Sequence, residues 1–231
     1  MSEREETDYD RYLSTRTLLS LQKPAEARTH QDELLFQVVH QVEELWMKLV
    51  LDEVHAAIRA LGADEHATVV GHMSRATEVQ RLMVSQLRLM ETLTPHAYLS
   101  IRKGLGQGSG QESPGFNAIL RIAPKLGEAL HASLERAGID AEKVHREPEA
   151  HPLAMQVVES VMDFDIQMQS FRYAHLMIVK RTIGGLTPSL KGKPVDLLEK
   201  SMRKAFYPEL WEIRERLFTD FIAGPSLKTG S

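Results

Sequence analysis

The chain has 231 residues, 42% of them apolar, and a formal net charge of −4, which suits one domain with a sizeable core and argues against a nucleic-acid footprint. It contains no cysteine, which removes disulfides, iron–sulfur clusters, zinc knuckles and a thiolate-ligated heme together. No apolar run approaches the roughly 20 residues that span a bilayer. The acidic start MSEREETDYD reads as neither a signal nor a transit peptide, so a cytoplasmic protein is expected.

In chain order, residues 1–28 form an N-terminal arm with a short ordered piece at 12–22. A long helix is predicted over 30–61 and stops at Gly62. Thr29 with Asp32 three positions on reads as its N-cap and first-turn carboxylate. Leu34, Leu35, Val38, Val42, Leu45 and Leu49 recur at helical spacing and predict a core-facing stripe. Phe36 and Val39 make a second apolar edge, with His40 one turn beyond Phe36. Asp64 is placed to cap the next helix, whose apolar residues run from Val69 to Leu93. Thr94-Pro95 restarts a short helix with Pro at its first position. Residues 104–115, GLGQGSGQESPG, hold five glycines in twelve and predict a loop. Ser113-Pro114 opens another helical stretch, punctuated at Pro124 and ended near Gly138. The charged, proline-bearing stretch 138–152 reads as a linker. A last long helix is predicted from about Pro152 to Gly184. No strand, internal repeat or low-complexity tract is evident. One all-α helical bundle is the expected fold.

Two histidines stand out. A helix apolar on most of its circumference is usually internal, so His40 is expected to be enclosed by protein or ligand. It is either a core histidine satisfied by a neighbouring carbonyl or part of a site. In the last long helix, Val157, Val161, Phe164, Met168, Phe171, His175, Ile178 and Thr182 alternate at spacings of four and three, a seam for packing on other helices. His175 is then either a tolerated core residue or a metal ligand, because heme iron needs a neutral imidazole presented from a rigid apolar wall. Tyr98 and Arg102 are four apart after Pro95 and share one side of that helix. A guanidinium beside an aromatic ring suits an amino-acid carboxylate, although an arginine there also fits an ordinary solvated surface.

Four blocks resemble the tryptophan 2,3-dioxygenase family, in that family's order. HQDELLFQVVHQVEELWMKL (from His30) resembles its distal helix, and YDRYLSTRTLLSLQKP (Tyr9 to Pro24) its N-terminal arm. ETLTPHAYLSIRKGLGQGSG (Glu91 to Gly110) resembles the segment that holds the substrate carboxylate. FRYAHLMIVKRTIG (Phe171 to Gly184), followed by FYPEL (Phe206 to Leu210), resembles the heme-ligand helix and the start of the last helix. The resemblance implies a helical bundle enclosing a b-type heme, with His175 as the axial ligand to iron. It implies an oxygenase that binds dioxygen at ferrous heme and oxygenates the indole ring of L-tryptophan or a close derivative, with 2,3-dioxygenation to N-formylkynurenine the expected reaction. His40 then matches the distal histidine that accepts a hydrogen bond from the indole nitrogen. Phe36 matches an aromatic wall, Tyr98 the pocket tyrosine, Arg102 the carboxylate-binding arginine and Ser109 a serine near the indole ring. Tyr9, Tyr12 and Leu13 match an arm that completes the neighbouring subunit's pocket in a homotetramer, or here at least a dimer.

Two departures accompany the match. The substrate loop at 184–194 reads GGLTPSLKGKPVD from Gly184 onward. Ser189 stands where the family has an ammonium-binding threonine, Thr187 is nearby, and Pro188 and Pro194 stiffen the stretch. The chain is also shorter than the family between Ser109 and Phe171. A heme-dependent monooxygenase of a modified tryptophan or tyrosine is therefore the alternative reading. Outside heme chemistry, a di-iron carboxylate bundle finds one Glu-x-x-His pair, Glu142 and His145, in the 138–152 linker. A non-enzymatic helical interaction module leaves His40 and His175 as coincidences.

Overall fold

The computed structural model describes residues 5–106, 108, 110–184 and 204–223, with backbone alone at 111. All regular structure among them is helical, as expected. In chain order the helices are α1 (Asp8–Leu13), α2 (Thr15–Leu18), α3 (Glu33–Gly62), α4 (His66–Gln86), α5 (Pro95–Gly104), α6 (Pro114–Arg136), α7 (Ala141–Arg146), α8 (Pro152–Ile183) and α9 (Pro208–Ala223). Short 3-10 turns stand at Leu87–Thr92 and Gly110–Glu112. Helix α3 packs against both α4 and α6, and α8 packs along α4, so α3 and α8 are the two long walls that carry the histidines.

The helix starts follow from local chemistry. Pro95 and Pro114 occupy first-turn positions that need no amide hydrogen, and the preceding Thr94 and Ser113 hydroxyls accept from Ala97 and Phe116 N–H at 3.1 and 3.0 Å. Helix α6 continues through Pro124 instead of breaking there. The 138–152 stretch contains α7, capped by Asp140. Two expected caps are different. Asp64 sits at φ 55 before α4, and its carboxylate takes Arg136 and Ser133 of α6 instead of a helix amide. At the start of α3 the organising carboxylate is buried Glu33, which accepts from Thr29 N at 2.7 Å, Thr29 Oγ1 at 3.0 Å and Lys23 Nζ at 2.5 Å.

The seam of α8 is core as predicted: Val157, Val161, Phe164, Met168, Phe171 and Ile178 are all buried. Each contributes roughly 1.5–3 kcal/mol by leaving water. The stripe predicted for α3 is a correction. Val38 and Leu45 are 39% and 49% exposed, whereas Val39, Met47, Val50, Val54, Ala57 and Leu61 form the buried face. Both sides of α3 carry apolar residues, so periodicity alone does not choose between them, and the side facing α4 and α6 wins.

Buried Asp165 of α8 ties the chain's last described segment to the bundle. It accepts from Phe206 N at 3.0 Å, Tyr207 N at 3.4 Å and Trp211 Nε1 at 3.2 Å. The buried Arg172 guanidinium lies 5.1 Å from the centre of the Phe206 ring, and the Tyr207 hydroxyl donates to the Ala123 carbonyl of α6 at 3.0 Å. No helix among the described residues is long and apolar enough to cross a membrane.

Candidate active site

The site is assembled where α3, α5, the end of the glycine-rich loop and α8 meet. On α3, the rings of Phe36 and His40 lie one turn apart with centroids 4.1 Å from each other and planes tilted by 31°. The Tyr98 ring of α5 approaches Phe36 at 6.4 Å. His40 Nδ1 stands 2.7 Å from the Phe36 carbonyl oxygen. A carbonyl only accepts, so Nδ1 carries the hydrogen and Nε2 keeps its lone pair. Desolvation holds the His40 pKa below the usual value, against the opposing pull of the Phe36 carbonyl and the Glu44 charge. The imidazole is therefore a neutral acceptor at neutral pH. The side chain is exposed on a single copy and not enclosed as expected, although the protein around it partly desolvates the ring.

His175 stands on α8, close enough for the charge of His40 to influence it. Desolvation, with a smaller contribution from His40, pushes its pKa down to about 4. It makes no hydrogen bond among the described residues. A Cβ built on Gly110 would stand 3.6 Å from its Nε2, so a glycine keeps that nitrogen clear of a side chain. Phe171, one turn earlier, packs against Phe116 of α6 with centroids 6.3 Å apart and steadies this part of α8. An axial heme ligand must be a neutral imidazole with an available nitrogen on a rigid, largely apolar wall, and His175 meets each requirement. The residues present therefore fit a histidine-ligated heme.

Arg102 lies one turn after Tyr98 on α5, half-buried, in a cleft of about 560 Å³ lined also by His96, Leu99, Ser100, Lys103 and Gly106. It forms no ion pair among the described residues. The structure thus brings Phe36, His40 and Tyr98 into one aromatic cluster, with His175 close enough to feel the charge of His40, while Arg102 shares a helix with Tyr98 but lines a cleft whose walls include none of the other three. Ser109, Thr187 and Ser189 lie outside the described residues, as does the rest of the 185–194 stretch. Tyr9, Tyr12 and Leu13 of α1 are exposed, Tyr12 by 90%, so the arm's aromatic side is not covered by its own domain. The di-iron pair is otherwise engaged: Glu142 accepts from Arg146 and Arg216 at 2.9 Å each, and His145 Nδ1 bonds the Ala141 carbonyl of its own helix.

Sequence reading passed over Glu44 and Gly110. Glu44 is one turn beyond His40, and its carboxylate accepts from the Ser113 hydroxyl and, at 2.9 Å, from Gly115 N–H. Its partners are about 70 residues away in sequence, and only the i, i+4 spacing from His40 could have pointed to it.

Known proteins resemble the chain along most of its length. The family model described as tryptophan 2,3-dioxygenase matches residues 1–132. A tryptophan 2,3-dioxygenase of Myxococcus xanthus is 30% identical over 91% of this chain and 90% of the relative. Those of Caulobacter vibrioides and Bacillus cereus are 29% and 28% identical, over 90% and 93% of this chain and 98% and 94% of the relatives. The alignment to the Myxococcus protein runs over 261 positions, longer than this 231-residue chain, so the relative carries residues that this chain lacks.

Proposed function

The chain belongs to the tryptophan 2,3-dioxygenase family, and we propose that it is a heme-dependent dioxygenase that opens the indole ring of L-tryptophan to N-formylkynurenine. The observation that carries this reading is the placing of His40 beside the Phe36 ring on α3 and of His175 on the apolar seam of α8, close enough for the charge of one to influence the other. In this reading His175 Nε2 holds the iron of a b-type heme. Bound heme supplies the redox chemistry by which dioxygen reacts with the 2,3 bond of the ring.

The protein's part is to hold the ring and keep its protons in place. The Arg102 guanidinium grips the substrate carboxylate through two parallel hydrogen bonds and fixes the amino-acid end. The His40 lone pair on Nε2 accepts the indole N–H and fixes the other end. With both ends held, the ring cannot slide along the cofactor face, which is the positional advantage that speeds the reaction. Phe36 and Tyr98 flank the ring and exclude water. Ser109 sits beside the indole, and Ser189 with Thr187 takes the substrate ammonium. Tyr9, Tyr12 and Leu13 reach a second copy and close its site within a cytoplasmic homotetramer. The exposure of all three on a single copy supports that exchange.

Replacing the iron ligand tests the reading. His175→Ala should purify with little heme and no normal Soret band, recoverable in part with added imidazole. Normal heme content in that variant would overturn the assignment.

A further inference from the structure

The end of the glycine-rich loop is tied to α3 by Glu44, one turn beyond His40. Its two carboxylate oxygens are taken by different donors: Ser113 Oγ–H on one, Gly115 N–H at 2.9 Å on the other. Ser113 in turn caps α6 through Phe116 N–H at 3.0 Å, and its own N–H donates to the Gly110 carbonyl at 3.3 Å.

The packing at the anchor admits no looser arrangement. A Cβ on Gly115 would come within 2.7 Å of both Glu44 Oε2 and Met47 Cβ, closer than real Cβ contacts come. The glycine therefore lets α6 start in direct contact with α3, where the carboxylate also meets the positive end of the helix. A charged acceptor with two donors at a helix start is among the stronger arrangements a half-buried carboxylate can make. The same charge opposes the desolvation of His40 one turn earlier.

We propose that Glu44 is a positioning residue of the active site: its carboxylate ties Ser113 and Gly115, where the glycine-rich loop passes into α6, to α3 one turn from His40. The inference rests on the reading that His40 and His175 flank the cofactor. Without the anchor the loop end is no longer referenced to α3, and substrate binding suffers before heme binding does, because His175 stays fixed by its own helix. Isosteric Gln keeps both contacts, its amide oxygen accepting from Gly115 N–H and its amide N–H donating to Ser113 Oγ.

The experiment compares the heme-loaded wild type with Glu44→Ala, Glu44→Gln, Ser113→Ala and Gly115→Ala. It reads heme content, thermal midpoint, and the dissociation constant for L-tryptophan from the shift it causes in the heme spectrum. Glu44→Ala and Gly115→Ala should keep their heme but bind tryptophan about two- to thirtyfold more weakly, the range in which residues that do not touch a ligand modulate its affinity. Ser113→Ala should show a smaller loss, and Glu44→Gln should restore affinity to near the wild-type value. A merely structural anchor would lower the thermal midpoint and leave the dissociation constant unchanged, and that result overturns the proposal. If Glu44→Ala does not fold, Ser113→Ala and Gly115→Ala decide by the same measure. Wild-type protein that takes up no heme would defeat the proposed function instead, a failure visible before any variant is made.

Discussion

Glu43, the neighbour of Glu44 on α3, is only 6% exposed, and neither of its oxygens has a hydrogen-bond partner. Burial pushes its pKa up from 4.5 to about 7; nearby Gln86 moderates the effect and the Glu44 charge adds to it. The folded state thus holds a proton that the unfolded chain releases near pH 4.5. Stability is then greatest below that pH and falls as the pH rises towards and through 7. At about 1.4 kcal/mol for each pH unit between the two pKa values, the loss above pH 7 reaches about 3 kcal/mol. Glu43→Gln removes the ionisation while keeping the shape. It should match the parent near pH 4.5 and exceed it by up to about 3 kcal/mol at pH 8, a rise of roughly 6–12 °C in thermal midpoint for a domain of this size. Denaturant or calorimetric unfolding of both proteins at pH 5, 6, 7 and 8 reads the difference. A gap that does not widen with pH, or a parent more stable than the variant at pH 8, would refute the reasoning.

Asp165→Ala should cost about 3–5 kcal/mol in unfolding free energy, because it orphans the Phe206, Tyr207 and Trp211 donors at a buried position; a loss under about 1 kcal/mol would show the anchor to be dispensable. Arg102→Leu should weaken L-tryptophan binding by a factor of about ten or more while leaving tryptamine, which has no carboxylate, unaffected; equal binding of acid and amine to the parent protein would remove the clamp. Deleting residues 1–14 should weaken substrate binding and assembly together, as read by spectral titration and sedimentation, and a fully active monomeric deletion variant would end the arm-exchange idea.

What the sequence disclosed depended on how local each determinant is. The α8 seam was legible because its apolar residues lie on one face at alternating spacings, and that face is the one buried. The starts of α5 and α6 were legible because a hydroxyl followed by proline acts within one turn. Helix α3 was misread on the orientation of its core face, since Val38 and Leu45 repeat as regularly as Met47 and Val54 and only contact with α4 and α6 decides. Asp64 looked like a cap because its actual partners, Ser133 and Arg136, are distant in sequence. Asp165 and Glu44 were passed over for the same reason: a carboxylate on a helix reads as a solvated face until its donors are known. His40 and His175 were singled out by residue type on apolar helices, but that packing brings them close enough to influence each other's charge was not legible, because they are far apart in sequence.

Dioxygen labelled with oxygen-18, supplied to the anaerobic ferrous protein with L-tryptophan and followed by mass analysis of the product, tests the central claim most directly. The account predicts N-formylkynurenine carrying both labelled atoms. A product with a single labelled oxygen and an intact ring, or turnover of tyrosine derivatives alone, would contradict it.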